Sequence, residues 1–355
     1  MYFRTLNPRM AGAVAAGALL AGCGGGTPSA GAIADTHSIA AIDSVGIPPV
    51  PHGTLGKSWI RPDAARQWLL YVSDGENGAV DIYSFRKERG KLVGQITGLS
   101  FPYGQCVDKN GNVYVVDNDT SRIYEYAHGG TTPIATAKDK FGKPDGCAVD
   151  RTSGNVAISN FSGSSSSDAG GLDIFSGGLS GKQTYYTNPN LYRVFPGAYG
   201  VTGGFFAQGI DYSGVSNFVE LLPGQKQFTM LTGLTIAFPG SVQWDGSWLD
   251  VTDQNYGYGY TTMIYRVSVT GSSVTVVHSS HLIDDCYPNY DWMVAIQPFV
   301  TGGSKDNVVA AGNLNCPNRE NFYKYTTGGT PTWSLPSKIA PAAPYGQTIS
   351  GPSRN

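Results

Sequence analysis

The sequence predicts an all-β fold, a six-bladed β-propeller of four-stranded blades, and three observations predict it. A short segment of alternating apolar and polar residues recurs six times, at 82–85, 123–126, 172–175, 218–221, 264–267 and 322–325. Each copy follows a β-branched or aromatic segment that ends in Asp or Asn, a period that marks propellers and related arrays. No stretch of a dozen residues shows helical periodicity, while 48 glycines and 21 prolines supply turns and 21 tyrosines supply half-buried strand surface.

The clearest unit is 101–126. Pro102 and Gly104 open a first strand ending at Asp108, Asn110-Gly111 is a two-residue hairpin signal, and 113–116 and 123–126 are the second and third strands. Outer strands follow the third ones, for example at 92–97, 182–187, 228–232 and 273–277. First strands start near Pro102, Pro144, Pro196, Pro239, Pro288 and Pro344. The last of these repeats Pro-Tyr-Gly-Gln letter for letter with no unit after it, and the first unit begins with its second strand at Leu69. The C-terminal strand is therefore expected to complete the first blade and close the ring, removing two sheet edges. The rival for that place, Ser58-Trp59-Ile60, lacks a Pro-x-Gly opening and runs into Pro62.

Residues 1–22 carry Arg4 and Arg9 and then an apolar run too short to span a membrane, the pattern of an export signal. Leu20-Ala21-Gly22-Cys23 resembles the bacterial lipobox, which implies a diacylglycerol on the Cys23 sulfur, a cell-envelope address outside the cytoplasm and the membrane as a partner. A plain secretory signal is the alternative. Gly24 rather than Asp after the cysteine implies the outer membrane if the host is Gram-negative. Residues 23–57 open with a glycine-rich tether, and 58–355 are assigned to the propeller. Without the two leader arginines the chain has 22 basic and 26 acidic residues and no basic run, which argues against a nucleic-acid partner.

The 101–126 unit is similar to the NHL repeat and to gluconolactonase-like propellers, through Pro102, Gly104, Asp108, Gly111, Val113, Tyr114, Val115, Asp117, Arg122 and Ile123. The likeness extends in weaker form over about 69–350. For gluconolactonase-like enzymes it implies a divalent cation, calcium or similar, held in the channel by a first-blade Glu with Asn and Asp from other blades. Asn160 and Asp253 match the latter ligands, whereas 344–350 contains no acid. A metal-dependent lactonase or esterase is thus the alternative to a binding or interaction module.

Two groups of site residues follow. Asp74, Asp117, Asn160, Asp253 and Asn313 recur where the second strand ends. They either ring the channel mouth as oxygen ligands for a hard cation or cap nearby backbone amides at turns. The long connections carry Tyr256, Tyr258, Tyr260, Tyr287, Tyr290 and Trp292, flat faces with polar rims suited to a carbohydrate or a partner protein. No Gly-x-Ser-x-Gly elbow, phosphate-binding loop or zinc spacing is present, so no catalytic residue is assigned. Of the four cysteines after Cys23, Cys106 and Cys147 fall on neighbouring first strands one residue out of register, so their side chains meet between blades. Cys286 and Cys316 fall in loops on one side of the disc, and these two pairs are the expected disulfides.

Overall fold

Short runs of β-branched and aromatic residues between glycine turns leave the backbone few choices besides extended strands that pair with their chain neighbours. The computed structural model describes residues 56–352 except Lys87 and the stretches 255–260, 285–290, 297–307 and 314–317. Along much of Asp291–Ile296 and Val308–Asn313 it describes the backbone alone. Among the described residues, apart from one turn of 3-10 helix at Ala64–Arg66, the regular elements are strands.

The strand Leu69–Asp74 pairs antiparallel with Ala79–Ser84 on one side and with Pro344–Ser350 on the other. Leu92–Thr97 continues this sheet, and Trp59–Ile60 joins its far edge, away from the position the C-terminal strand occupies. The second sheet is Pro102–Val107, Val113–Asp117, Arg122–Tyr126 and Pro133–Lys138. The third is Gly142–Val149, Val156–Gly163, Ala169–Phe175 and Gln183–Tyr186. In the fourth, Phe205–Ile210, Ser216–Leu221 and Thr229–Leu231 are regular, but the first strand splits into Arg193–Val194 and Ala198–Tyr199. Pro196 lies in the gap, where it has no amide to give the ladder.

The remaining strands form one eight-stranded sheet, so among the described residues the sheets number five where six separate ones were expected. One half is Pro239–Trp244, Leu249–Asp253, Thr261–Thr270 and Ser273–Ile283; the other is Asp291–Ile296, Val308–Asn313, Glu320–Lys324 and Gly328–Ser334. A single parallel pair, Leu282 with Gly329, joins them. The reason is strand length: the outer strand expected at 273–277 runs on to Ile283 and reaches the neighbouring outer strand. Its other end touches the fourth sheet, where Thr232 N donates to Ser272 O and Val274 N to Thr232 O.

The core lies between the sheets and at the axis. One buried cluster gathers Tyr345, Phe101, Tyr103, Cys147, Phe195, Ile210 and Phe238, residues from four sheets and the C-terminal strand that meet only at the centre of a ring. The expected Cys106–Cys147 disulfide is present and ties the first strands of the second and third sheets, Cα to Cα 5.5 Å. Cys286 and Cys316 lie outside the described residues, as does Cys23. Among the described residues no helix is long and apolar enough to cross a membrane.

Candidate functional site

Each first strand runs from the end of the disc bearing the long connections to the end bearing the tight hairpins. Gly111, at φ +88°, shows why a glycine sits in such a hairpin. At the hairpin end a cavity of about 670 Å³ opens on the axis, with walls from every sheet. Its size suits a small molecule. Trp68, Tyr199 and Trp244 give it aromatic surface, Gln105 and Gln243 give it amides, and the Cys106–Cys147 bridge forms part of the wall.

The acids of this cavity are turned into its rim. Asp108 Oδ1 accepts from the amides of Asn110 and Asn112, both at 2.8 Å, and Asp150 Oδ1 accepts from Thr152 N at 3.0 Å. Lys109 and Arg151 follow them in the chain, so the rim alternates in charge and sums to zero. The site therefore presents flat faces and amide groups rather than a concentrated charge.

Toward the opposite end, among the described residues, aromatic rings pack together near the axis. The rings of Phe101, Tyr103 and Tyr345 lie 4.8 to 5.6 Å apart by centroid, and Phe195 packs against Phe161 at 5.5 Å and Phe238 at 6.4 Å. Among these rings Asp145 is 1% exposed, and neither carboxylate oxygen has a hydrogen-bond partner. Burial pushes this carboxyl well above the usual range; its own amide and that of Gly146 act against the shift without reaching bonding geometry. Sequence reasoning passed over Asp145. The signal was a charge in Pro144-Asp145-Gly146, at the place where two other first strands carry Tyr103 and Tyr345.

The recurring acids are accounted for one by one. Asp117 accepts from Ser100 N at 2.8 Å and Phe101 N at 3.1 Å. Asp253 accepts from Ala237 N at 2.8 Å and Phe238 N at 2.9 Å, and Asp74 from Ala342 N at 3.0 Å and Ala343 N at 3.3 Å. Each thus anchors the two residues that precede the proline of a first strand, which is the capping role. Asn160 differs: its Nδ2 donates to Asp139 at 3.0 Å and to Asp173 at 2.9 Å. The side chains of Asn313 and Trp292, and the whole of Tyr256, Tyr258, Tyr260, Tyr287 and Tyr290, fall outside what the structure describes. Among the described residues no three His, Cys, Asp or Glu side chains are grouped to hold a metal.

The fold and this axial cavity place the chain among β-propellers. It is similar to a chain of a nidogen/laminin complex, with TM-score 0.59 and 14% identity over 81% of this chain and 100% of that one. A protein of unknown function from Bacteroides caccae aligns with TM-score 0.55 and 12% identity, covering 80% of this chain and 99% of that one. A functionally unknown protein from Desulfotomaculum acetoxidans gives TM-score 0.53 and 12% identity over 80% and 99%. No protein-family model matches the sequence, and no curated protein matches it.

Proposed function

We propose that this protein is an exported, lipid-anchored binding module that holds a neutral polar ligand, such as a sugar ring, in its axial cavity without converting it. In this reading residues 1–22 are the signal, Cys23 carries the lipid, 23–57 are the tether and 58–355 the propeller. The eight-stranded sheet counts as two blades, since a single ladder pair joins its halves, and the strand Pro344–Ser350 completes the first of six. The observation that carries the functional reading is the cavity itself. It combines Trp68 and Trp244 with the amide of Gln243 and the unpartnered Oε1 of Gln105, while its two carboxylates are committed to their hairpins. A general base needs a carboxylate or imidazole able to face a substrate, and neither Asp108 nor Asp150 is left in that position.

The test is a panel of sugars, lactones and esters offered to the full-length protein in detergent, with and without calcium, zinc or manganese. Saturable binding to a sugar with no turnover is the expected result. Saturable, metal-dependent hydrolysis of a lactone or ester would replace the binding module by the lactonase alternative. The anchor is tested separately: fatty-acid labelling is expected in the wild type and lost in Cys23→Ser, and unchanged labelling of the variant would remove the lipid from the account.

A further inference from the structure

The third sheet holds more negative charge than its architecture uses. Asp139 takes over the anchoring role here, its Oδ1 accepting from Phe141 N at 2.8 Å and Gly142 N at 3.1 Å. That leaves Asp173, on the third strand opposite Ile158, as a second buried carboxylate. Asp139 is 2% exposed, and Asp173 and Asn160 are fully buried. One NH2 group, that of Asn160, reaches both carboxylates, so the two acids lie within about two hydrogen-bond lengths of each other. Among the described residues no lysine, arginine or histidine pairs with either acid; the neighbours Lys138 and Lys140 are exposed.

A second, independent feature points to what is missing. Three oxygens here have no hydrogen-bond partner, although each is shut off from solvent: Asn160 Oδ1, Asp173 Oδ1 and Gln183 Oε1. Asn160 is held against the acids by close packing, since a Cβ at Gly142 would stand 2.4 Å from its Cγ and 2.7 Å from its Oδ1. Two buried carboxyls this close hold either a shared proton or a bound cation, and a shared proton would leave the orphaned oxygens of Asn160 and Gln183 unsatisfied, which favours the cation. The contrast with the first sheet is direct. There Asp81, likewise on the third strand, has Gln95 donating to one oxygen at 2.8 Å and the Tyr83 hydroxyl to the other at 3.1 Å.

We propose that Asp139, Asn160, Asp173 and Gln183 form a calcium site. Two carboxylates match the charge of the ion, and a half-turn of the Asn160 amide exchanges its NH2 for Oδ1, so one side chain can bridge the acids or ligate the ion. Amide and carboxylate oxygens in an irregular cluster suit calcium better than magnesium, which demands a near-ideal octahedron and retains several waters. Gln183 is partly exposed, beside the stacked rings of Phe141 and Tyr185 at 5.0 Å, and supplies the route from solvent. The site is independent of the axial cavity and of any ligand bound there.

The experiment is calorimetric titration of the chelator-treated, full-length protein with calcium chloride, then with magnesium chloride. Saturable binding of one calcium per chain is expected, at least tenfold weaker in Asp173→Asn and several-fold weaker in Gln183→Ala. The second variant removes a partly exposed side chain and so guards against a folding defect, while Asp119→Asn, an exposed acid nearby, should bind as the wild type does. No saturable calcium binding, equal binding in the wild type and both variants, or magnesium binding as tight as calcium would each overturn the proposal.

Discussion

The second and third sheets anchor their first strands with different carboxylates. In the second, Asp117 at the end of the second strand accepts from the amides of Ser100 and Phe101. In the third, Asn160 has that place and the anchoring has moved to Asp139, which precedes the first strand in the chain. The exchange leaves Asp173 with an oxygen that nothing satisfies, whereas both oxygens of Asp117 are used. The lesson is that recurrence here marks scaffold. A residue repeated in several units is there because every unit must fix its first strand, and a unit that breaks the pattern is where an additional task can be sought.

Several measurements would break or sharpen this comparison. The largest effect is expected from the bond that joins the two sheets. Replacing Cys106 and Cys147 together by Ala removes a cross-link over a sequence separation of 41, and the chain-entropy account puts the loss at about 4 kcal/mol. Urea denaturation should show it, and reduction of the wild type should reproduce most of it; a double variant as stable as the parent would mean that packing alone holds the sheets together.

Next comes Asp117→Ala, which strands three amides that now have a charged acceptor, those of Ser100, Phe101 and Thr120, and should lower stability by ~3 kcal/mol. Asp253→Ala should behave alike, because its carboxylate does the same for Ala237 and Phe238. A surface-like loss of a few tenths for either would show that the anchors are dispensable.

The pH dependence follows from acids that are buried without being anchors. Burial raises Asp81 to about 6 and Asp250 to about 7, the second also through the neighbouring charge of Asp245. A folded-state pKa above the unfolded one means that the folded protein binds the extra proton. The stabilisation is fully present below about pH 4 and is lost as pH rises through those values, on the order of 2 kcal/mol in all after allowance for partial solvent screening. Melting temperature should therefore fall between pH 4 and 7, and Asp250→Asn should flatten the fall. An unchanged slope in that variant would assign the dependence to other groups. Asp250 is also bonded to the Tyr325 hydroxyl and paired with Arg266 at 3.5 Å, so the variant is expected to be somewhat less stable at every pH.

The smallest effect on stability is expected at the cavity. Trp244→Ala removes a half-buried ring and should change stability by only about 1 kcal/mol while weakening ligand binding by tenfold or more. Undiminished affinity would move the binding surface away from the hairpin end of the axis.

The architecture was legible because strand, turn and strand leave local signatures: the Pro-x-Gly openings, the Asn110-Gly111 hairpin and the apolar alternation of 123–126 reappear as structure. The Cys106–Cys147 pair was legible for the same reason, since strand register fixes which face a side chain leaves. Less visible was the merging of two units at Leu282 and Gly329, because strand length depends on what the far end touches. The cavity was not foreseen at the hairpin end either. Long aromatic loops drew attention to the other face, while the depth of an axial opening depends on how Tyr103, Tyr345 and Phe195 pack across the ring. Asp145 and Asp173 look like ordinary strand residues in sequence; only three-dimensional burial with unpartnered carboxylate oxygens sets them apart.

One pair of variants tests most directly the claim that recurring acids hold the ring and surplus ones await a ligand. Asp117→Asn and Asp173→Asn are compared by urea denaturation of the calcium-free protein. The account predicts opposite signs: Asp117→Asn loses stability because an acceptor of a backbone amide is replaced by a donor, and Asp173→Asn gains it because a neutral amide avoids the cost of burying a charge, or taking up a proton, beside Asp139. A loss of similar size in both would contradict the account, since it would make Asp173 one more anchor of the scaffold.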